Sequence, residues 1–251
     1  MSKKVWITGA SSGIGKALAI KFANEGWQVA ASARRENLLK DLNNQNPNIH
    51  PFPLDVKNEE ETKNVFQNVI QKFKTIDISV FCTGMHDPDA EKKLSSEKIR
   101  EIMETNFFGT LNCIMAVNNY FREKKSGHIS IVSSVAGYRG LPAASGYCAS
   151  KSALTSLAES LYFDFKRHNV RVSLVSPGFI KTPMTDKNKF PMPMIRSPEF
   201  AAEKMFIGLT KKNAFEIHFP LAFTMIMKLL KIMPNWLYFL LIKKGMKTVK
   251  Y

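Results

Sequence analysis

Lys3-Lys4-Val5-Trp6-Ile7-Thr8, followed at once by Gly9-Ala10-Ser11-Ser12-Gly13-Ile14-Gly15, is the stretch that decides the fold. The first six residues read as a short strand and Lys16 to Asn24 as a helix, so the glycines mark a tight strand-to-helix turn. A turn of this kind lets the backbone approach a pyrophosphate, and the helix behind it offers unpaired N–H groups and a positive dipole end. The spacing is G-x-x-x-G-x-G, not the commoner G-x-G-x-x-G dinucleotide fingerprint. Taken alone, a tight turn with ordinary hydroxyl caps accounts for it as well.

The rest of the chain repeats the alternation. Strand-like runs at Val5–Thr8, Gln28–Ser32, Ile49–Leu54, Ile76–Phe81, His128–Ser133, Arg171–Val175 and Phe215–His218 are separated by amphipathic helical intervals. That pattern predicts an α/β fold, a doubly wound, Rossmann-like parallel sheet of seven strands with helices on both faces. A length of 251 residues suits one such unit. We expect a catalytic domain over residues 1–218 and an apolar, basic helical tail over 219–251. No apolar leader precedes the first strand, so a cytoplasmic location is expected. Cys82, Cys113 and Cys148 lack any C-x-x-C spacing and read as reduced core residues. His50, His86, His128, His168 and His218 form no i, i+4 pair, and no metal requirement is expected.

Tyr147 and Lys151, inside Ser145-Gly146-Tyr147-Cys148-Ala149-Ser150-Lys151, are spaced to share one face of a helix. A free tyrosine gives up its proton near pH ~10, and a fixed cation nearby favours the phenolate and moves that value towards neutral. A tyrosine so tuned delivers a proton to a developing alkoxide. Without other motifs the spacing arises by chance in many helices.

With the glycine turn beside them, these residues give a chain that resembles the short-chain dehydrogenase/reductase family. The resemblance runs in order from about Lys3 to Thr182. Asn106, in Asn106-Phe107-Phe108-Gly109, matches the family's helix asparagine that supports a water near the catalytic lysine. Ser134, in Ser133-Ser134-Val135-Ala136-Gly137, matches its carbonyl-polarising serine, and Pro177-Gly178-Phe179-Ile180-Lys181-Thr182 matches the segment at the nicotinamide end. The resemblance thus implies a catalytic set of Asn106, Ser134, Tyr147 and Lys151. Ser134 would polarise a carbonyl, Tyr147 would supply the proton, and Lys151 would favour tyrosinate and bond the nicotinamide ribose. It also implies cofactor contacts from Gly9, Ser11, Ser12, Gly13, Ile14 and Gly15, from Asp55-Val56 at the adenine, and from Cys82 and Gly84. Tyr147, Lys151, Pro177, Gly178, Ile180 and Thr182 complete the implied set.

Cofactor choice rests on Ala31-Ser32-Ala33-Arg34-Arg35, which has no acidic residue to bind a ribose 2′-hydroxyl. Arg34 and Arg35 instead suit a 2′-phosphate, so NADP, used as NADPH, is preferred over NAD. One segment departs from the family: Phe81-Cys82-Thr83-Gly84 stands where Asn-Asn-Ala-Gly is usual. The missing asparagine normally ties neighbouring strands, and Cys82 is a poor hydrogen-bond substitute.

The net charge of +15 raises the question of an anionic partner. Basic residues are dispersed without a nucleic-acid motif, so a nucleic-acid partner is not expected. A membrane surface suits the tail better. Leu221–Met233 and Trp236–Ile242 are apolar runs split by Pro234, each short of the ~20 residues a spanning helix needs. Lys228 and Lys231 fall on one face, Trp236 and Tyr238 suit the headgroup level, and Lys243, Lys244, Lys247 and Lys250 follow. Two interfacial helices on an anionic membrane are therefore expected, with a dimer- or lid-forming pair as the alternative. Pro183–Pro198 should form a flexible substrate lid in which Met184, Met192 and Met194 make an apolar wall.

The function expected is an NADPH-dependent oxidoreductase reducing a lipophilic ketone or aldehyde, such as a 3-ketosphingoid base, a long-chain 3-oxoacyl compound, a retinoid or a steroid. The alternatives are a soluble short-chain reductase or dehydrogenase of a small polar substrate with an oligomerising tail, and a cofactor-binding scaffold or redox sensor without turnover. A homodimer or homotetramer is implied by the resemblance only.

Overall fold

Seven strands form one parallel sheet in the order β3-β2-β1-β4-β5-β6-β7. They are β1 (Lys4–Thr8), β2 (Gln28–Ala33), β3 (Ile49–Pro53), β4 (Ile78–Phe81), β5 (Gly127–Val132), β6 (Val170–Pro177) and β7 (Glu216–Phe219). Each coincides with a run expected from the sequence, the fourth starting two residues later than its apolar run suggests. The computed structural model describes residues 2–188 and 190–247, with side chains of the last helix described as far as Lys244.

Helices α1 (Gly13–Asn24), α2 (Glu36–Gln45), α3 (Glu59–Phe73), α4 (Pro88–Lys92), α5 (Ser96–Met103), α6 (Gly109–Lys124), α7 (Ser145–Lys166), α8 (Pro198–Thr210), α9 (Leu221–Ile232) and α10 (Asn235–Lys247) fill the connections. Several boundaries follow from capping chemistry. Asn58 accepts the Glu61 N–H at the start of α3, whose first turn carries Glu59, Glu60 and Glu61 against the positive dipole end. Ser197 caps α8, and Pro198 fills its first position, where a missing N–H costs nothing.

The two faces of the sheet bury separate cores, which the alternation within β1 makes plain. Val5 and Ile7 join Leu18 and Phe22 of α1, Leu39 of α2 and Phe206 of α8, whereas Trp6 points the other way into Phe66, Phe121 and Phe165 from α3, α6 and α7. The Trp6 indole N–H is satisfied by Ser32 Oγ at 2.9 Å. Strand order reverses between β1 and β4, and a doubly wound sheet opens its crevice at the carboxyl ends of the strands at that point. Gly84, Ser134 and Pro177 stand at that edge, just past or at the end of β4, β5 and β6.

The tail folds back onto the rim. Phe223 and Met227 of α9 are buried with Val135 and Tyr138, and Phe223 also packs on Phe179 and closely on Gly178. Arg139 locks the end of α9 by donating to the carbonyls of Leu230 (2.6 Å) and Met233 (2.6 Å), and it stacks 4.1 Å from the Tyr238 ring. Two expectations need correction. Tyr238 is buried, with its hydroxyl on the Gly140 carbonyl, and not at an interface. Lys228 and Lys231 do share a side, but it is the one turned towards Tyr138, with Lys228 half-buried and Lys231 exposed. Lys228 pairs with Glu216 at 2.6 Å, and both ammoniums lie 5.9 Å from the Tyr138 ring. Lys250 and the Lys247 side chain lie outside what the structure describes. The outward face carries Leu221, Met225, Leu229, Trp236 and Phe239, all more than half exposed.

Candidate active site

A cleft of about 250 Å³ opens at the strand reversal, and every residue expected to contact the cofactor lines it. At one end the glycine turn and α1 present backbone. A Cβ on Gly15 would lie 2.3 Å from the Gly9 carbonyl oxygen, so only glycine lets the helix start this close to the strand. Gly9 itself has φ +70°, and a Cβ there would meet the Cys82 carbonyl at 2.8 Å. No acidic side chain occupies the first turn of α1, whose free N–H groups therefore face the cleft with the dipole uncompensated.

Arg34 and Arg35, after β2, form the far wall. The Arg35 guanidinium donates to Ser11 Oγ at 2.9 Å and Ser12 Oγ at 2.8 Å, which leaves Ser12 without a capping bond to α1. Two guanidiniums, two hydroxyls and no carboxylate in the Ala31–Arg35 segment make a donor set that fits a phosphate on the adenosine ribose. Asp55 and Val56 follow β3, and Thr182 stands over the turn with its Cγ2 3.0 Å from where a Gly13 Cβ would sit.

The other end brings Ser134, Tyr147 and Lys151 together. Ser134 follows β5, accepts the Ala136 N–H at 3.2 Å and lies against the Pro177 carbonyl at 3.4 Å. Lys151, buried on α7, donates to the Val132 carbonyl at 2.9 Å, with its ammonium 5.7 Å from the Tyr147 ring centre. Burial lowers the Lys151 ammonium to about 8. Burial likewise pushes the Tyr147 phenol up to about 12, against a hydrogen bond from Ser134, with Cys148, Cys82 and Glu91 adding to the rise. This reverses the expected shift towards neutral: desolvation of the phenolate outweighs a cation held at that distance.

Asn106 stands behind the cleft and does not line it. It lies in a single π-helical turn, Glu104–Phe108, between α5 and α6, a distortion common at functional sites. Its amide donates to the Met85 carbonyl and to Ser150 Oγ, each at 3.0 Å, and its oxygen accepts the Met85 N–H at 2.7 Å. These bonds pin the segment after β4 to α7. Gly84 lies between Asn106 and Lys151, a Cβ there falling 3.6 Å and 3.5 Å from Asn106 Oδ1 and Lys151 Nζ. Cys82 is half-buried and packs against the core as a small apolar residue, with its thiol raised to about 11 by burial. It is less buried than Cys113 and Cys148 and differs in that from the core cysteine expected.

Of the three lid methionines only Met184 lines the cleft. Met192 accepts Asn188 Nδ2 and Met194 is exposed, because the lid's far end is held by Arg196, which bridges to Ile180 and exchanges backbone bonds with Phe179 and Lys181. Sequence reasoning missed Met85, Thr105 and Ser133 around the cleft, and two residues on Tyr147 itself. His86 stacks on its ring at 4.7 Å, and Glu91 accepts its backbone N–H at 3.1 Å. Pro88-Asp89-Ala90-Glu91-Lys92-Lys93 reads as a solvated charge run, and nothing in its pattern flags Glu91 as fully buried.

No described helix is long and apolar enough to cross a membrane. The model of the short chain dehydrogenase family matches residues 3–191. An uncharacterized oxidoreductase of Myxococcus xanthus is 34% identical over 236 residues, spanning 92% of this chain and 93% of that protein. A 3-oxoacyl-(acyl-carrier-protein) reductase of Thermotoga maritima is 32% identical over 223 residues, covering 83% and 91%. Among solved structures, ElxO with NADP bound superposes with a TM-score of 0.78 at 25% identity over 87% of this chain and 98% of that one. The chain belongs to the short-chain dehydrogenase family and is a nicotinamide-dependent oxidoreductase.

Proposed function

We propose that the protein is an NADPH-dependent reductase that converts a lipophilic ketone or aldehyde to an alcohol, with Tyr147 as proton donor. One observation carries it: Ser134, Tyr147 and Lys151 converge at one end of a single cleft whose other end is Arg34, Arg35 and the glycine turn. The Thermotoga relative's name, a 3-oxoacyl-(acyl-carrier-protein) reductase, and the NADP in the ElxO structure support the same reading.

Gly9 to Gly15 and the start of α1 would hold the pyrophosphate, Arg34 and Arg35 the 2′-phosphate, and Pro177 to Thr182 the nicotinamide end, where the reduced ring supplies hydride. The chain's own groups handle the oxygen. Ser134 Oγ hydrogen-bonds the substrate carbonyl, and negative charge that builds there meets a donor already in place. The Tyr147 hydroxyl gives its proton to that oxygen and completes the alcohol. A phenol held above its ordinary value keeps its proton at neutral pH, and an alkoxide is the stronger base, so the transfer is downhill. Lys151 then faces the phenolate left behind. Asn106 holds the loop carrying Gly84 and Met85 against α7 and so fixes the height of the wall beside Lys151.

The lipophilic substrate and a peripheral membrane site are read from residues 219–251 as a membrane-facing unit. Leu221, Met225, Leu229, Trp236 and Phe239 form an exposed apolar face, while Phe223, on the opposite side of α9, touches the segment at the nicotinamide end. Lys243, Lys244 and the net charge of +15 suit anionic headgroups. A homodimer is read separately from Phe108, Met115 and Phe163, exposed apolar residues on the outer faces of the Asn106 turn, α6 and α7.

The test pairs two assays on the full chain. NADPH oxidation should rise with alkyl chain length across a series of aldehydes and 3-oxoacyl thioesters, and the protein should float with phosphatidylserine vesicles but not with phosphatidylcholine alone. Preference for short polar carbonyls together with no vesicle binding overturns the lipophilic reading.

A further inference from the structure

Glu91 has no exposed side-chain surface, and the chemistry above leaves it unused. A buried carboxylate is costly unless its oxygens find partners, and one oxygen of Glu91 finds its partner in Tyr147. Oε2 accepts the Tyr147 backbone N–H at 3.1 Å. Oε1 lies 3.3 Å from His86 Nε2, in close contact though neither atom has a hydrogen bond, and the His86 ring packs on the phenol with 4.7 Å between centres and a tilt of 37°.

The α7 helix needs this help. Its N-cap is Ala144, which supplies no side-chain bond, and its first turn holds no acidic residue. Tyr147 is the third residue of α7, so its N–H is one of the four donors that a helix leaves without an internal partner. A carboxylate from α4 satisfies that donor and faces the positive end of the dipole. The tether crosses to α4, so its effect is to fix where the first turn of α7 begins, and with it where the phenol points. His86, in contact with the same carboxylate, limits the ring by packing on it. The remaining titratable groups close to the phenol are Cys82, Cys148 and Lys151.

We propose that Glu91 and His86 are positioning residues for Tyr147: the Glu91 carboxylate anchors the first turn of α7 through the Tyr147 N–H, and the His86 imidazole, in contact with that carboxylate, packs against the phenol ring. The proposal rests on Tyr147 being the proton donor. Without Glu91 the hydroxyl drifts from the point it shares with Ser134, and loss of alignment by about 1 Å costs on the order of 10²-fold in rate.

The experiment compares the parent with Glu91→Leu, Glu91→Gln, His86→Ala, His86→Phe and Tyr147→Phe. Amide hydrogen exchange at Tyr147, by NMR, needs no substrate. Its N–H should be protected in the parent and in Glu91→Gln, whose amide oxygen still accepts, and unprotected in Glu91→Leu. With NADPH and decanal, kcat should fall on the order of 10²-fold in Glu91→Leu, with NADPH affinity by fluorescence titration unchanged. Glu91→Gln should restore most of the rate, yet move the alkaline limb of the kcat profile to lower pH, since the charge that opposes phenolate is gone. His86→Phe should outperform His86→Ala. Equal protection of the Tyr147 amide in Glu91→Leu and parent overturns the proposal. So does a loss in which NADPH affinity and melting temperature fall together and Glu91→Gln rescues nothing. A parent rate in Tyr147→Phe instead sinks the proton-donor reading, which the exchange data distinguish from failure of the tether.

Discussion

The two ends of the cleft are built by different rules. The cofactor end comes from strand termini and the turn between β1 and α1, where backbone approach and phosphate charge dictate glycines and arginines at fixed places. The other end comes from Ser134 after β5, Tyr147 and Lys151 of α7 and the segments after β4 and β6, with α9 packed behind it on Val135, Tyr138 and Phe179. The first is built from residue types with few substitutes and the second from side chains that distant segments bring together.

Substitutions at the two ends should break in different ways. The largest effect is expected for Lys151→Met, with kcat down ~10²–10⁴-fold as proton delivery fails. Melting temperature at neutral pH should not fall, because an apolar chain replaces a buried ammonium whose charged form the fold disfavours. The sign follows from linkage. Lys151 titrates near 8 when folded against 10.5 when unfolded, so the unfolded chain binds more protons in that window and parent stability gains as pH rises through it. Calorimetry on either side of that window should show the gain in the parent and its absence in the variant.

At the substrate end, Phe223→Ala removes a buried ring between the tail and Phe179, and chemical denaturation should register a loss of about 3 kcal/mol. Arg35→Ala should weaken NADPH by about 10–100-fold, as expected for losing charge-assisted hydrogen bonds, and leave NADH affinity unchanged in a fluorescence titration. The smallest stability change belongs to Leu229→Gln with Phe239→Gln, within ~0.5 kcal/mol for exposed positions. The same pair should abolish flotation with anionic vesicles, so that stability and binding part company at the tail alone.

The same division explains what could be read from the sequence. All seven strands followed from apolar runs alternating with helical intervals, because a parallel sheet buried on both faces admits few other patterns, whereas the reversal point appeared only in the structure. The glycine turn, Arg34 and Arg35 announce themselves by residue type. Glu91 does not, since a glutamate buried under a helix N-terminus looks in sequence like any charged residue on a surface. Tyr238 and Lys228 misled for the converse reason. An amphipathic helix pair offers two faces to choose between, and the choice was made by Arg139, far away in the chain, and by Glu216 on the neighbouring strand. The Tyr147 value shifted the wrong way because spacing fixes which groups are neighbours without fixing how much water surrounds them.

The central claim is tested most directly by NADPH oxidation with a long-chain aldehyde, comparing the parent with Tyr147→Phe at matched NADPH occupancy. The account predicts a drop of ~10²–10⁴-fold in kcat, the range expected for losing a positioned proton donor, with NADPH binding unchanged. A Tyr147→Phe protein that turns over at the parent rate would contradict it.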